Sequence, residues 1–226
     1  MNVNRSGGGD VQVSDVAVPC GVHLTLPGTL RIPEDPIGIV LFAHGSGSSR
    51  MSPRNRFVAE WLGTRGLATL LFDLLTDEEE RNRENVFDLE LLTTRLLAAA
   101  RWVRSEAGLD GLPLGLFGAS TGAGAALGAA GELRRRVAAV VSRGGRPDLV
   151  LPVLADVTAP TLLIVGGADE PVIEMNRRAL TELGGPKELV LVPGATHLFE
   201  EPGALEQVAD LASSWFVRHL GPPADM

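Results

Sequence analysis

Short apolar runs recur along the chain and are separated by turns and by longer amphipathic segments. Two strand-like segments, Val11–Val18 and Val22–Ile32, come first, and the run Gly38–Ala43 that follows is apolar throughout. An uninterrupted apolar run of this length is typical of a strand that is buried on both faces. Runs of the same kind, each predicted to form a strand, lie at Leu67–Phe72, Leu114–Phe117, Val137–Ser142, Thr161–Val165 and Glu188–Val192.

Segments with helical character fill the intervals between these runs. The first, near Ser52–Arg65, begins with an N-cap serine followed by proline, and Gly66 favours its end. Antiparallel strands followed by strand–helix alternation predict an α/β fold, with a mostly parallel twisted sheet and helices on both faces. Further helices are expected at Asn85–Glu106, Thr121–Leu133, about Pro171–Leu183 and Ala204–Leu220.

The length of the chain, 226 residues, is that of one ordinary domain. We expect a single domain over residues 11–226, preceded by a flexible, polar and glycine-rich segment at 1–10. The connection Gly144–Pro160 is too short for a large lid domain. An open, small site is therefore expected.

Charge and cysteine content narrow the expected partners and compartment. The formal net charge is −8, so nucleic acid and an anionic membrane surface are both disfavoured as partners. The single cysteine, Cys20, excludes an intramolecular disulfide, and we expect it to pack as a small hydrophobe. Because the chain shows no secretory signal and no run of ~18 apolar residues, a cytoplasmic protein is expected. The sequence does not indicate an oligomeric state.

A serine lies at a turn between a predicted buried strand and a predicted helix. The segment Gly118–Gly122 reads G-x-S-x-G around Ser120, with an apolar run before it and small residues after it. Such a strand–turn–helix context is that of a nucleophile elbow, where the hydroxyl is presented at the helix N-terminus. Glycines on both sides of the serine suit the tight turn. The pattern predicts that Ser120 is a nucleophile.

A nucleophilic serine needs a base, and His197 is the best of the four histidines. It lies in the loop between the last strand and the closing helix, at the same end of the sheet as Ser120. Two others lie in the opening strands and in the closing helix. The remaining one, His44, follows the strand Gly38–Ala43, where bracing the loop is the preferred interpretation and a second base the alternative.

The orienting carboxylate is predicted to be Asp169. It follows the strand Thr161–Val165 directly, after a short Gly-Gly lead-in, and it gives the chain order Ser120, Asp169, His197 that this architecture requires. Asp148, which follows the preceding strand, is the rival.

Two backbone N–H groups are predicted to bind the oxyanion of a tetrahedral intermediate. One belongs to Thr121, the residue after the nucleophile. The other is assigned to Ser46, with Gly47 next to it, in the loop after the strand Gly38–Ala43. The small residues of this loop allow its backbone to approach a substrate closely.

Charged residues near the same end of the sheet leave two interpretations open. Arg143 and Arg146 could bind a substrate carboxylate, or they could pair with nearby acids of the protein. The charged segment Thr76–Glu84 could border the pocket mouth, or it could be a solvated loop.

Four loops together resemble those of the α/β-hydrolase superfamily, and within it those of the dienelactone hydrolase-like group. They are HGSGSS from His44, GASTG around Ser120, GGAD ending at Asp169 and GATH ending at His197. The resemblance spans about residues 38–220. Dienelactone hydrolases proper have cysteine at the position of Ser120. The resemblance implies an α/β-hydrolase fold and hydrolysis with neither cofactor nor metal.

The expected function is that of a carboxylesterase-like serine hydrolase acting on a small-molecule acyl substrate. Alternatives remain: acyl transfer to an acceptor other than water, preference for a thioester or amide, or a non-catalytic binding domain that keeps the fold. The sequence does not identify the acyl or leaving group.

Overall fold

A computed structural model describes residues 11–106 and 108–222, so the flexible segment expected at 1–10 lies outside the described residues. Within these ranges, eight strands form one sheet. The strands are β1 Gln12–Pro19, β2 Thr25–Ile32, β3 Gly38–Ala43, β4 Leu67–Phe72, β5 Leu114–Ala119, β6 Ala139–Arg143, β7 Thr161–Gly166 and β8 Lys187–Val192. The α-helices are α1 Pro53–Gly63, α2 Asp77–Glu80, α3 Arg83–Phe87, α4 Leu89–Val103, α5 Thr121–Leu133, α6 Glu170–Glu182 and α7 Ala204–Leu220. Short 3₁₀ helices lie at Arg134–Arg136 and Pro147–Asp156.

The order of the strands across the sheet is β1-β2-β4-β3-β5-β6-β7-β8. Strands β1 and β2 are antiparallel to their neighbours, whereas β3 to β8 run parallel; Leu41, for example, pairs with Leu70 and with Leu116. The predicted α/β architecture is confirmed. Because the parallel strands share one direction, the loops that follow them meet at one edge of the sheet.

Strands β3 to β7 are buried on both faces, which explains their uninterrupted apolar runs. Successive residues of a strand point to opposite faces. Leu41 and its counterparts in the neighbouring strands pack with α4, α5 and α6, whereas Val40 and Phe42 pack with α1 and α7.

One predicted helix, Asn85–Glu106, is wrong as a single element. The chain breaks at Asp88, which ends α3 and caps α4. Its backbone is extended, and its side chain accepts a hydrogen bond from the N–H of Leu91 at 3.0 Å. An aspartate that binds the backbone in this way favours a new helix start over continuation of the first helix.

The absence of a large lid is confirmed for the described residues. The connection after β6 forms the 3₁₀ helix Pro147–Asp156, which packs against α5 and α6. Its end is held by the Gly184 N–H, which donates to the Leu154 carbonyl at 3.1 Å. No helix within residues 11–106 and 108–222 is long and apolar enough to cross a membrane.

Candidate active site

Ser120 lies at a strained turn between β5 and α5. Its φ of +52° is in a region that non-glycine residues rarely occupy, so the surrounding structure must hold it there. A Cβ at Gly118 would collide with Cα of Ala123, and a Cβ at Gly122 would collide with the carbonyl oxygen of Ala43. The two glycines are therefore required by packing, and the turn has the predicted elbow geometry.

The turn Arg143–Arg146 holds the backbone of the serine from the side of β6. The Ser120 N–H donates to the carbonyl of Arg143, and the Arg146 N–H donates to the carbonyl of Ser120, both at 3.1 Å. Between them, a Cβ on Gly144 would lie 3.5 Å from Cε1 of His197. This turn is therefore hydrogen-bonded to the serine backbone and lies beside the imidazole.

His197 connects Ser120 to Asp169. Its Nε2 lies 3.3 Å from Ser120 Oγ, and its Nδ1 lies 2.7 Å from Asp169 Oδ2. The Asp169 side chain makes no capping bond to α6, although the residue stands at that helix's N-cap position. Its carboxylate is therefore available to the imidazole. The Ala168 N–H donates to the Ala195 carbonyl at 2.9 Å and ties the loops after β7 and β8 together.

Asp148 and His44, the alternatives to Asp169 and His197, have other hydrogen-bond partners. Asp148 accepts two hydrogen bonds of 2.8 Å from Nε and Nη2 of Arg146. His44 is buried, and both of its ring nitrogens are occupied. Nε2 accepts the Leu74 N–H at 3.0 Å, and Nδ1 lies 3.0 Å from the Gly45 carbonyl, to which it donates. Burial lowers the pKa of His44, which favours this neutral form.

The loop after β3 lies against the nucleophile. A Cβ on Gly45 would lie 3.1 Å from both the carbonyl oxygen of Ala119 and Cβ of Ser120. Ser46 and Gly47 are exposed, and Gly47 has a φ of +66°. On the other side of the serine, Thr121 is the first residue of α5. Thr121 therefore adjoins the nucleophile, and Ser46 follows the glycine that packs against it; their N–H groups as oxyanion donors stay a prediction.

The two arginines differ in their surroundings. Arg146 is engaged by Asp148, and this hydrogen bond raises the pKa of Arg146. Arg143 is only 7% exposed, and its Nε and Nη1 find no hydrogen-bond partner among the described residues. Its guanidinium carbon lies 6.0 Å from the centre of the Phe199 ring. Burial, with a smaller contribution from Arg54, lowers the pKa of Arg143 to about 10, so the group stays charged at neutral pH.

The charged segment Thr76–Glu84 forms α2 and the start of α3 rather than a loop, and a role at the pocket mouth stays a prediction. Thr76 and Glu79 form a capping box that starts α2, and Glu79 also pairs with Arg95 at 2.7 Å. Glu80 lines a cleft beside the loop that follows β3. Burial, with help from Asp73 and Asp77, raises the pKa of Glu80.

Sequence reasoning missed Asn176, a fully buried polar residue of α6. Its Nδ2 donates to the carbonyl of Gly145 at 3.0 Å and to that of Val172 at 2.8 Å. The signal was available, because Asn176 occupies a position on the apolar face of α6 with Val172 and Ala179. Sequence reasoning also missed the ion pair between Arg50 and Asp73, which joins the loops after β3 and β4. Arg50 Nη1 lies 2.5 Å from Asp73 Oδ2.

Known proteins similar to this chain share its fold over most of its length. A family model described as the dienelactone hydrolase family matches residues 26–216. A dienelactone hydrolase from Anabaena variabilis ATCC 29413 is 57% identical, with a TM-score of 0.90 over 92% of this chain and 98% of that one. The esterase domain of a Rhodothermus marinus protein is 22% identical, with a TM-score of 0.76 over 93% of this chain and 100% of that one. The α/β-hydrolase fold and the resemblance to dienelactone hydrolases are confirmed.

A longer relative is also similar to this chain. A putative phosphoribosyl transferase of Mycobacterium tuberculosis is 60% identical over 214 residues, which make up 95% of this chain and 47% of that protein. The chain therefore spans about half the length of the curated relatives it matches.

Proposed function

The chain belongs to the dienelactone hydrolase family, and from this membership and the site geometry we propose that it is a serine esterase. It cleaves a small carboxylic ester through a covalent acyl-serine intermediate. The observation that carries the proposal is the continuous contact from Ser120 Oγ to His197 Nε2 and from His197 Nδ1 to Asp169 Oδ2. A nucleophile, a base and an orienting acid in this geometry are what acyl transfer requires.

In the proposed first step, Ser120 Oγ attacks the carbonyl carbon while His197 Nε2 takes the hydroxyl proton. Asp169 accepts the Nδ1–H hydrogen bond, which fixes the tautomer and stabilises the imidazolium. The N–H groups of Thr121 and Ser46 bind the oxyanion. When the intermediate collapses, the imidazolium donates its proton to the leaving alcohol, and the acyl group stays on Ser120.

In the second step, water replaces the alcohol. His197 takes a proton from the water, the resulting hydroxide adds to the acyl carbon, and the proton returns to Ser120 Oγ as the carboxylic acid departs. No step requires a group beyond these side chains, backbone N–H groups and water.

The nature of the acceptor and of the bond remains part of the proposal. An alcohol could replace water in the second step and give acyl transfer, and a thioester or amide could replace the ester. The transferase activity in the name of the Mycobacterium tuberculosis relative belongs to a protein about twice as long as the matched region. We propose no phosphoribosyl transfer for this chain, because its site is built around a nucleophile, a base and an acid.

Replacement of the nucleophile tests the proposal. In Ser120→Ala, kcat for p-nitrophenyl acetate should fall by ~10⁴–10⁶, and labelling by a fluorophosphonate probe should disappear. Ser105→Ala is the matched control, because Ser105 follows α4 at the opposite edge of the sheet; it should keep both properties. A folded Ser120→Ala variant with near-normal turnover would refute the mechanism. Absence of turnover and labelling in the wild type would favour a binding domain.

A further inference from the structure

A cleft lies beside the loop that follows β3. Its cavity volume is about 70 Å³, so it is small. The backbone of Gly45–Gly47, which carries the proposed oxyanion donor, forms one wall. Apolar side chains form most of the remainder, and one carboxylate, Glu80, lies among them. The side chains that line the cleft are His44, Leu74, Leu75, Glu80, Val86 and Leu92.

The sheet order places this cleft and His197 on opposite sides of Ser120. The residues that line the cleft follow β3 and β4 along the chain, whereas Asp169 and His197 follow β7 and β8. Across the sheet, β4 and β3 lie on one side of β5, and β6, β7 and β8 lie on the other. The nucleophile at the end of β5 therefore separates the cleft from the base.

The chemistry of the proposed reaction assigns the leaving group and the acyl group of the ester to different sides of Ser120. The leaving oxygen must lie within reach of His197, which protonates it. The acyl substituent is attached to the same carbonyl carbon and extends away from the leaving oxygen. The side away from His197 is that of β3 and β4, where Gly45 of the cleft wall lies against Ser120.

We propose that this cleft binds the acyl group of the substrate and selects short, apolar and uncharged acyl chains. The inference rests on the proposed esterase function and adds its acyl specificity. Leu92 of α4, which is 3% exposed, and the half-buried Val86 limit the chain length. The exposed Glu80 at the edge of the cleft disfavours an acyl group that ends in a carboxylate, because the two negative charges would repel each other.

Chain-length profiles test the role of Leu92. Values of kcat/KM for p-nitrophenyl esters from acetate to decanoate should be highest at about two to four carbons in the wild type, because the cleft is small and Leu92 closes it. In Leu92→Ala the maximum should move by about two carbons towards longer chains, because the removed methyl groups leave space. Leu96→Ala, one turn later on α4 and fully buried but outside the cleft, should lose stability without moving the maximum.

Val86→Ala provides a second test that does not depend on a core leucine. Val86 is half-buried, so the variant should fold, and its profile should broaden in the same direction as that of Leu92→Ala. If both variants keep the wild-type maximum, the cleft does not hold the acyl chain.

Glu80→Gln tests the charge selection. The ratio of kcat/KM for p-nitrophenyl valerate over p-nitrophenyl hemiglutarate should fall by about 10-fold, the order expected when one nearby like charge is removed. Glu78→Gln is the control, because Glu78 belongs to the same short helix but does not line the cleft; it should leave the ratio unchanged. Equal ratios in the wild type and Glu80→Gln would overturn this part of the proposal.

Fluorophosphonate labelling of each variant separates the two levels of inference. Variants that are labelled at Ser120 but keep the wild-type chain-length and charge profiles would contradict the acyl cleft and leave the esterase proposal standing. A wild-type protein that is neither labelled nor active would contradict the esterase proposal itself.

Discussion

Two aspartates, Asp148 and Asp169, follow adjacent strands of the sheet, and their partners decide between them. Asp148 is neutralised by Arg146 through two hydrogen bonds of 2.8 Å, while Asp169 directs Oδ2 at Nδ1 of His197. Only Asp169 can therefore fix the imidazole tautomer and stabilise its charged form.

The first residue-scale prediction follows from this difference. Asp169→Asn should keep the fold but favour the wrong tautomer of His197, and kcat should fall by up to ~10⁴. Asp148→Asn should cost less than about 10-fold, since it weakens a half-exposed ion pair. Steady-state kinetics on both variants at neutral pH measures the ranking, and the reverse ranking would assign the orienting acid to Asp148.

The meeting of Ser120, Asp169 and His197 could be predicted from the sequence, whereas the surroundings of the arginines could not. Ser120, Asp169 and His197 each follow a recognisable strand, so their loops had to meet at one edge. Arg143 instead ends β6 with its side chain on the face of Val141 and Phe199, a direction set by the strand's register. Substrate binding by Arg143 stays a prediction, whereas Arg146 forms an ion pair with Asp148.

At the scale of elements, the turn Arg143–Arg146 positions the serine backbone against the imidazole. Asn176 of α6 holds this turn through the Gly145 carbonyl. The amide is buried, and its Oδ1 has no partner among the described residues. An unpaired buried oxygen costs free energy, which is consistent with a positioning role that outweighs stability.

Removal of the Asn176 side-chain amide should therefore lower the rate of turnover. In Asn176→Leu, kcat for p-nitrophenyl acetate should fall by about 10- to 100-fold, because a small displacement of the serine relative to the base is enough. KM should stay within about threefold. The kinetics are measured well below Tm, so that unfolding does not contribute.

Thr161→Val is the matched control. Its hydroxyl also bonds a backbone carbonyl in the core, that of Ala159 at 3.0 Å, but at the opposite edge of the sheet. It should lower Tm without changing kcat. If Asn176→Leu behaves in the same way, Asn176 has a structural role only.

The elements themselves show which sequence signals were sufficient. Helix α7 was predicted with its observed bounds, Ala204–Leu220, because its apolar spacing is regular and glycines stand on both sides. The break at Asp88 was not predicted, because no glycine or proline marks it. An aspartate can lie in a helix or cap one, and packing of Leu92 and Leu96 against the sheet decides which occurs.

At the scale of the whole molecule, the order of the strands organises the chemistry. The proposed base and acid come from the β7–β8 side, and the proposed oxyanion loop and the cleft come from the β3–β4 side. The two sides are joined through β5, and the stability of the β3–β4 side depends on a histidine. His44 links the loop after β3 to Leu74 after β4, and it makes this link only while Nε2 is unprotonated.

Global stability should therefore depend on pH through His44. Burial lowers its pKa in the folded protein below the ordinary value of ~6.5 that it regains on unfolding. Between the two values the unfolded chain binds more protons, so stability is fully present above pH ~6.5 and falls as the pH decreases below it. Each unit by which the pKa of His44 is lowered on folding corresponds to about 1.4 kcal/mol in the free energy of unfolding. Urea unfolding of the wild type between pH 8 and 5.5 should show this loss.

Two histidine variants identify which residue causes the dependence of stability on pH. His219 also has a pKa lowered by burial and by Arg218, but it is more accessible, so its contribution should be smaller. His44→Asn should be less stable at pH 8 and should lose most of the pH dependence, whereas His219→Asn should keep most of it. His44→Asn should also retain measurable turnover, and His197→Asn should nearly abolish it. A wild-type slope preserved in His44→Asn would show that the β3–β4 link does not depend on the charge state of His44.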